Sequence, residues 1–255
     1  MQKNNFILDG FVWSFSRVSS FTICQYCFWL QYIQGKRGID SFFGQYGSFV
    51  HDLLERYNKG ELFAFELAYE YENRYAENVT KKVSDKISEN YYNQGHEFFK
   101  NFEEPDYEVL CCEQEYLFKV GEYQFTGKVD VETSDAIVDY KTKSSKAYKR
   151  KPKDKNVRQL HDGRYVDLDE FIQLYIYCIP YKEKYGKFPD KLILEMVKIG
   201  DRYVLDFNKD DFDWCVAYII YQIESIYNTV EFTKTESEFW CNQICGQRFN
   251  CKGVE

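Results

Sequence analysis

The chain has little of what breaks a fold into pieces. Its 255 residues include only 4 Pro and 2 Met, with no Pro-rich or Gly/Ser-rich linker and no internal repeat. That excludes a repeat array and a string of tethered modules. No uncharged apolar run approaches the roughly 18 residues that a membrane-spanning helix needs. The first residues, MQKNNFILDGFVWSFS, contain no apolar stretch leading to a small-residue cleavage site. The expectation is a soluble, cytoplasmic (intracellular) protein with no membrane association. A P-loop (G-x4-G-K-S/T) is also missing.

Aromatic residues are abundant instead, with 23 Tyr and 22 Phe in a chain that is 44% hydrophobic. A chain of this length hides roughly 70–75% of its unfolded surface, ample for a core. Net charge is −8, which argues against indiscriminate adhesion to nucleic acid. The charge is uneven, however. Residues 141–158 hold nine Lys or Arg and one Asp, a local +8 on a remainder of −16. Such a segment is either an anion-binding site or a solvated loop.

Periodicity predicts helices over 16–33 and 41–58. Phe43, Tyr46, Val50, Leu53 and Tyr57 form the apolar stripe of the second, and Gly60 ends it. Residues 61–101 read as polar, aromatic helix. From about Tyr107 the pattern changes to short β-prone runs, 109–120, 122–132 and 136–142. A helix apolar almost all round follows over 167–186, then a strand pair around Gly200 and a long helix over 209–229. Strands flanked by helices in one continuous pattern predict a single α/β domain.

The chemistry concentrates in GKVDVETSDAIVDYK, residues 127–141. Asp130 lies on one predicted strand, and Asp139 and Lys141 share a face of the next, roughly 7 Å apart. Close carboxylates repel unless a positive charge sits between them. A hard cation such as Mg2+ or Mn2+ suits oxygen ligands, and a neighbouring lysine can orient a water or neutralise a phosphate. An exposed charged hairpin is the simpler reading, but Asp139 interrupts an otherwise apolar run and needs a partner.

The ordered set G-x-V-D (Gly127, Asp130), I-V-D-Y-K-T (Asp139, Lys141) and Q-x3-Y (Gln173, Tyr177), with Gly47-x3-His51 upstream, resembles the RecB-like branch of the PD-(D/E)XK nuclease superfamily. The resemblance spans residues 16–251. It implies a restriction-endonuclease-like three-layer α/β core, a central mixed sheet flanked by helices, as one domain over 1–255. It also implies a metal-dependent DNA nuclease, an exonuclease on single-stranded or end-frayed DNA. By resemblance, Asp130, Asp139, the Tyr140 carbonyl and His51 hold Mg2+ or Mn2+, and Lys141 is the catalytic lysine. Gln173 and Tyr177 face the active site and the DNA. Glu113 stands where many relatives carry an acidic residue on the first strand. A helicase, recombination or integrase partner protein would fit such an enzyme.

Nine cysteines complete the picture. A subgroup of these nucleases, similar to AddB and the Cas-four-type CRISPR-associated exonuclease, places one cysteine before the nuclease core and three after it, together binding a 4Fe–4S cluster. Cys27, Cys241, Cys245 and Cys251 match, in segments 16–33 and 238–252, and would join the two ends of the chain. The usual trio is C-x2-C-x5-C, so C-x3-C-x5-C here departs by one residue, and Cys24 is a spare upstream ligand. Four thiolates also accept Zn2+, and reduced core cysteine is the third reading. In the basic segment, Lys143, Lys146, Lys149, Arg150 and Lys151 are expected to hold phosphates without reading sequence, with Tyr148 and Tyr165 stacking on unpaired bases. A catalytically silent DNA-binding or scaffold module of the same fold is the second reading. Loss of Asp130, Asp139 or Lys141 would mark it, and all three are present.

Overall fold

The computed structural model describes residues 8–252. Helices α1 (Phe15–Ile23) and α2 (Gln25–Phe28) precede a π-helical turn, Trp29–Ile33. Helices α3 (Phe42–Asn58), α4 (Leu67–Asn78) and α5 (Asp85–Lys100) follow, then strands β1 (Cys111–Val120), β2 (Tyr123–Glu132) and β3 (Ala136–Lys141). A small hairpin, β4 (Val157–Gln159) and β5 (Tyr165–Asp167), leads into α6 (Ile172–Tyr185). Strands β6 (Lys191–Met196) and β7 (Asp201–Asp206), helix α7 (Lys209–Asn228), a second π turn (Trp240–Ile244) and the short α8 (Arg248–Lys252) complete it.

Five strands form a mixed sheet in the order β1-β2-β3-β6-β7. All neighbours are antiparallel except β3 and β6, which run parallel and need the crossover through α6. Alternation along β3 sends Ile137 to one face and Ala136, Val138 and Tyr140 to the other. The first face packs with residues of α1, α6 and α7, the second with residues of α3, α4 and α5. The result is the expected three-layer α/β architecture.

Local differences from the sequence expectation have simple causes. The predicted helix over 16–33 breaks at Cys24, whose extended backbone (φ −157°) lets its sulfur accept the Cys27 N–H and restart the helix. The helical stretch over 61–101 is two helices, and the basic segment carries the β4–β5 hairpin. The bridge between Trp13 and Phe125 adds a short parallel contact on β2.

Two contacts bind α6 to β2. Glu132 is fully buried yet accepts from Tyr116 Oη (2.6 Å), Lys184 Nζ (2.9 Å), Tyr185 Oη (2.9 Å) and Cys111 Sγ (3.1 Å). Burial alone would raise its pKa, but these donors together hold it below the ordinary value of 4.5. Further along, the edge of the Tyr177 ring lies close against Gly127, where a Cβ would stand 2.3 Å from Cε1.

Both contacts are open to test by substitution. Glu132→Ala, which removes the counter-ion of Lys184 and the acceptor of two tyrosine hydroxyls, should cost about 3 kcal/mol in denaturant unfolding. A carboxylate with a depressed folded pKa stabilises fully above its unfolded pKa, and loses that contribution as pH falls through the folded value. The stability gap between wild type and Glu132→Gln should therefore be constant above about pH 5 and shrink progressively below pH 4.5. Gly127→Ala should cost about 1–3 kcal/mol by overpacking. A double-mutant cycle with Tyr177→Ala should recover most of that cost, because the smaller partner removes the clash.

Candidate active site

Pairing between β2 and β3 ends at Val131↔Val138. One step further the register would set Asp130 opposite Asp139, where like charges destabilise a ladder. The strands part instead, and Asp130 Oδ2 accepts the Tyr140 N–H at 2.8 Å. Three further elements converge on this fork. From α3, His51 Nε2 donates to the Tyr140 carbonyl at 3.0 Å while Nδ1 faces Asp130 Oδ1 at 3.5 Å. From β1, Glu113 takes a left-handed backbone (φ +52°) opposite Asp130 and pairs with Lys128. Such a conformation in a strand stores strain, and strain of this kind concentrates at functional sites. Ligand atoms of His51, Glu113 and Asp130 all lie within 4.8 Å of one another.

On the α6 side of β3, Asp139 is buried with Lys141 Nζ 2.6 Å from its Oδ2. That oxygen makes no well-aligned hydrogen bond among the described residues, so the pair is held by charge and distance alone. Lys141 Nζ donates to Gln173 Oε1 (2.8 Å), and Gln173 Nε2 donates to Tyr177 Oη (3.0 Å). Tyr177 is in turn seated by Gly127. The four residues thus form one chain of contacts from β3 to α6.

The electrostatics show how the fork is crowded. Burial and the Asp130 charge push Asp139 up, and they outweigh the pull of Lys141 and His51. Burial raises Glu113 as well, with Asp130 adding to it and Lys128 opposing. Burial would lower His51, but its hydrogen bond to Asp130 and the charges of Asp130, Asp139 and Glu113 lift it to about 9. Three carboxylates thus crowd one buried fork, each facing a single basic group, Lys128, Lys141 or His51, and a bound cation would relieve that crowding. One imidazole and carboxylate oxygens suit a divalent ion such as Mn2+ or Mg2+. His51, Glu113 and Asp130 form one compact group of candidate ligands. Asp139, with Lys141 at its Oδ2, and the Tyr140 carbonyl, which accepts from His51, border that group. Glu113, which the sequence marked only by its place on the first strand, is brought in by the register of β1 on β2.

At the other end of the chain, Cys24, Cys27, Cys241, Cys245 and Cys251 line one small cavity. Cys27 and Cys245 Sγ are 3.6 Å apart. Their contact shifts the two thiols apart, lowering Cys245 and raising Cys27. The extra residue of C-x3-C sits in the π turn Trp240–Ile244, closed by Cys245 N–H to Trp240 O at 2.8 Å. A π turn absorbs a single inserted residue, which keeps Cys241 and Cys245 on the cavity wall.

The basic segment divides. Lys143 pairs with Glu170 (2.6 Å), and Arg158 is bound bidentately to Asp211. Lys146, Lys149, Arg150 and Lys151 are exposed around the hairpin, and Tyr148 Oη is bonded to Asp167.

The model of the PD-(D/E)XK nuclease superfamily matches residues 12–252. No curated protein matches the sequence. Among solved structures, the chain is similar to the crystal structure of a "putative exonuclease" from Eubacterium rectale, at 15% identity and a TM-score of 0.57. That similarity covers 98% of this chain and 92% of the other. At this identity the structural likeness speaks for the fold, and the family match covers nearly the whole sequence: the chain belongs to the PD-(D/E)XK nuclease superfamily.

Proposed function

We propose that the chain is a divalent-metal-dependent DNA nuclease, acting from strand ends as an exonuclease on single-stranded or frayed DNA. The observation that carries this reading is Lys141, bracketed by Asp139 and Gln173 beside the converging ligand atoms of His51, Glu113 and Asp130. Nucleases of this superfamily use divalent metals, and Mg2+ or Mn2+ bound here would supply a Lewis acid and an activated water.

The chain's own residues then have distinct tasks. Asp130, Asp139, the Tyr140 carbonyl and His51 would hold the metal, with Glu113 beside them as a further ligand, and Asp139 also holds Lys141. Lys141 orients the attacking water toward phosphorus and offsets the charge that develops on the phosphate as the bond to the leaving sugar oxygen breaks. Gln173 fixes the lysine, and Tyr177 fixes Gln173, so a geometry that tolerates little displacement rests on packed groups. The cysteine cavity supports a 4Fe–4S cluster bound by Cys27, Cys241, Cys245 and Cys251, with Zn2+ as the other metal such thiolates accept. Either centre would tie both ends of the chain into one nuclease unit over 1–255.

With anaerobically purified protein, end-labelled single-stranded DNA and Mn2+, the wild type should degrade the strand. An Asp139→Ala, Lys141→Ala double variant should fall at least about 100-fold, the scale of losing a positioned catalytic group. Intact DNA with folded wild type overturns the reading in favour of a silent DNA-binding or scaffold module. Metal analysis should find about four iron atoms per chain; one zinc assigns the alternative centre. Cys245→Ser should lose the metal and fold poorly, and a stable, fully active variant removes the centre's structural role.

A further inference from the structure

A second feature lies on the same face of α3 as His51. Phe43, Gly47 and His51 recur at intervals of four, so they stack along one side of the helix. Gly47 packs against Thr142, just past the catalytic strand; a Cβ there would stand 3.3 Å from Thr142 Oγ1. Beyond that contact, about 12 Å along the helix from His51, opens a groove of about 690 Å³. Its walls come from five parts of the chain: Phe43 on α3, Lys86 and Tyr91 on α5, Lys143 beyond β3, Lys198 after β6, and Phe239 beside the cysteine segment.

Two properties of this groove point to one ligand chemistry. The first is aromatic. Phe43 lies 5.3 Å from Tyr91 and 6.2 Å from Phe239, and Phe239 is 54% exposed, a ring face open to solvent. The second is charge. Lys86 and Lys198 face one carboxylate, Glu89, on a protein whose net charge is −8, while the third lysine of the wall, Lys143, is paired with Glu170. Lys198 is half-buried and sits 3.9 Å over the Tyr91 ring, in no ion pair among the described residues. Burial lowers its pKa, so an anion beside it would be welcome. Aromatic faces interleaved with lysines bind unpaired bases and their phosphates together, whereas a duplex hides its base faces. The exposed lysines of the β4–β5 hairpin have no such arrangement: its one exposed aromatic, Tyr148, is bonded to Asp167.

We infer that this groove is a single-strand DNA subsite, in which Phe239 and Phe43 stack on bases and Lys86 and Lys198 hold phosphates of the strand that runs to the fork. The inference rests on the nuclease reading for its substrate and adds the path of that strand. It also connects the two ends of the molecule, because Phe239 stands two residues before Cys241. Assembly of the cysteine centre would then complete one wall of the DNA track.

Binding to a fluorescein-labelled oligothymidylate, read by anisotropy in EDTA over a salt series, tests this on the full chain without cleavage. Lys86→Gln with Lys198→Gln should weaken binding at least about tenfold and flatten the salt slope by about one. Phe239→Ala should weaken it about tenfold with the salt slope unchanged, and Phe239→Tyr should restore it, which separates stacking from damage to the cysteine segment. Lys149→Gln with Arg150→Gln, an equal loss of charge on the hairpin, should have the smaller effect. Wild-type affinity in the groove variants, a larger loss in the hairpin pair, or tighter binding of a blunt duplex overturns the inference. Cleavage at wild-type affinity by the Lys86, Lys198 variant sinks the groove and keeps the nuclease; groove-dependent binding without cleavage in Mn2+ does the reverse.

Discussion

Everything at the candidate site depends on the place where β2 and β3 let go of each other. A regular antiparallel ladder would carry Asp130 and Asp139 into direct opposition, and repulsion in a dry sheet opposes that. The strands part by one residue's reach, and the Asp130 carboxylate replaces the lost backbone acceptor by taking the Tyr140 N–H. What keeps β3 extended beyond the fork is its other neighbour. Residues 136–141 pair with β6 along their whole length, so Asp139 and Lys141 keep their alternation even though β2 has left. A fork with one rigid prong can present carboxylates without collapsing onto them.

Two acids on β2, only two residues apart, show how environment separates structure from function. Glu132 is buried among four donors and is held ionised, a satisfied network that fastens α6 to the sheet. Asp130 faces Glu113 and Asp139, both raised by burial and by the Asp130 charge, with His51 raised in response. The first arrangement is complete as it stands. The second crowds three carboxylates into a buried fork, and perturbed titration of that kind is characteristic of sites built to receive a cation or a substrate. The fastening matters to the site, because α6 also delivers Gln173 and Tyr177.

The two ends of the chain show a different economy of design. Cys24 interrupts the first helical stretch and caps its continuation, while a π turn places Cys241 and Cys245. Both irregularities turn cysteines toward a common cavity from segments more than 200 residues apart in sequence. Helices that ran uninterrupted through these positions would carry some of those sulfurs away from the cavity wall.

Much was legible before any coordinates. Helical and strand periodicity placed the main elements, because burial of one face imposes a pattern that composition cannot hide. The spacing of Asp130, Asp139, Lys141, Gln173 and Tyr177 carried the family, because strand alternation and one helical turn are local geometry. The sequence alone could not show that Glu113 joins His51 and Asp130, since that depends on the register of β1 and on a left-handed residue within it. Nor could it show that Asp139 pairs with Lys141, or that Lys143 and Arg158 of the basic run are already paired. Phe43, Tyr91, Lys198 and Phe239 carry no mutual signal in sequence at all. Residues related by local periodicity are readable one after another along the chain; those that meet only when helices close over a sheet are determined by packing, and tertiary structure alone decides them.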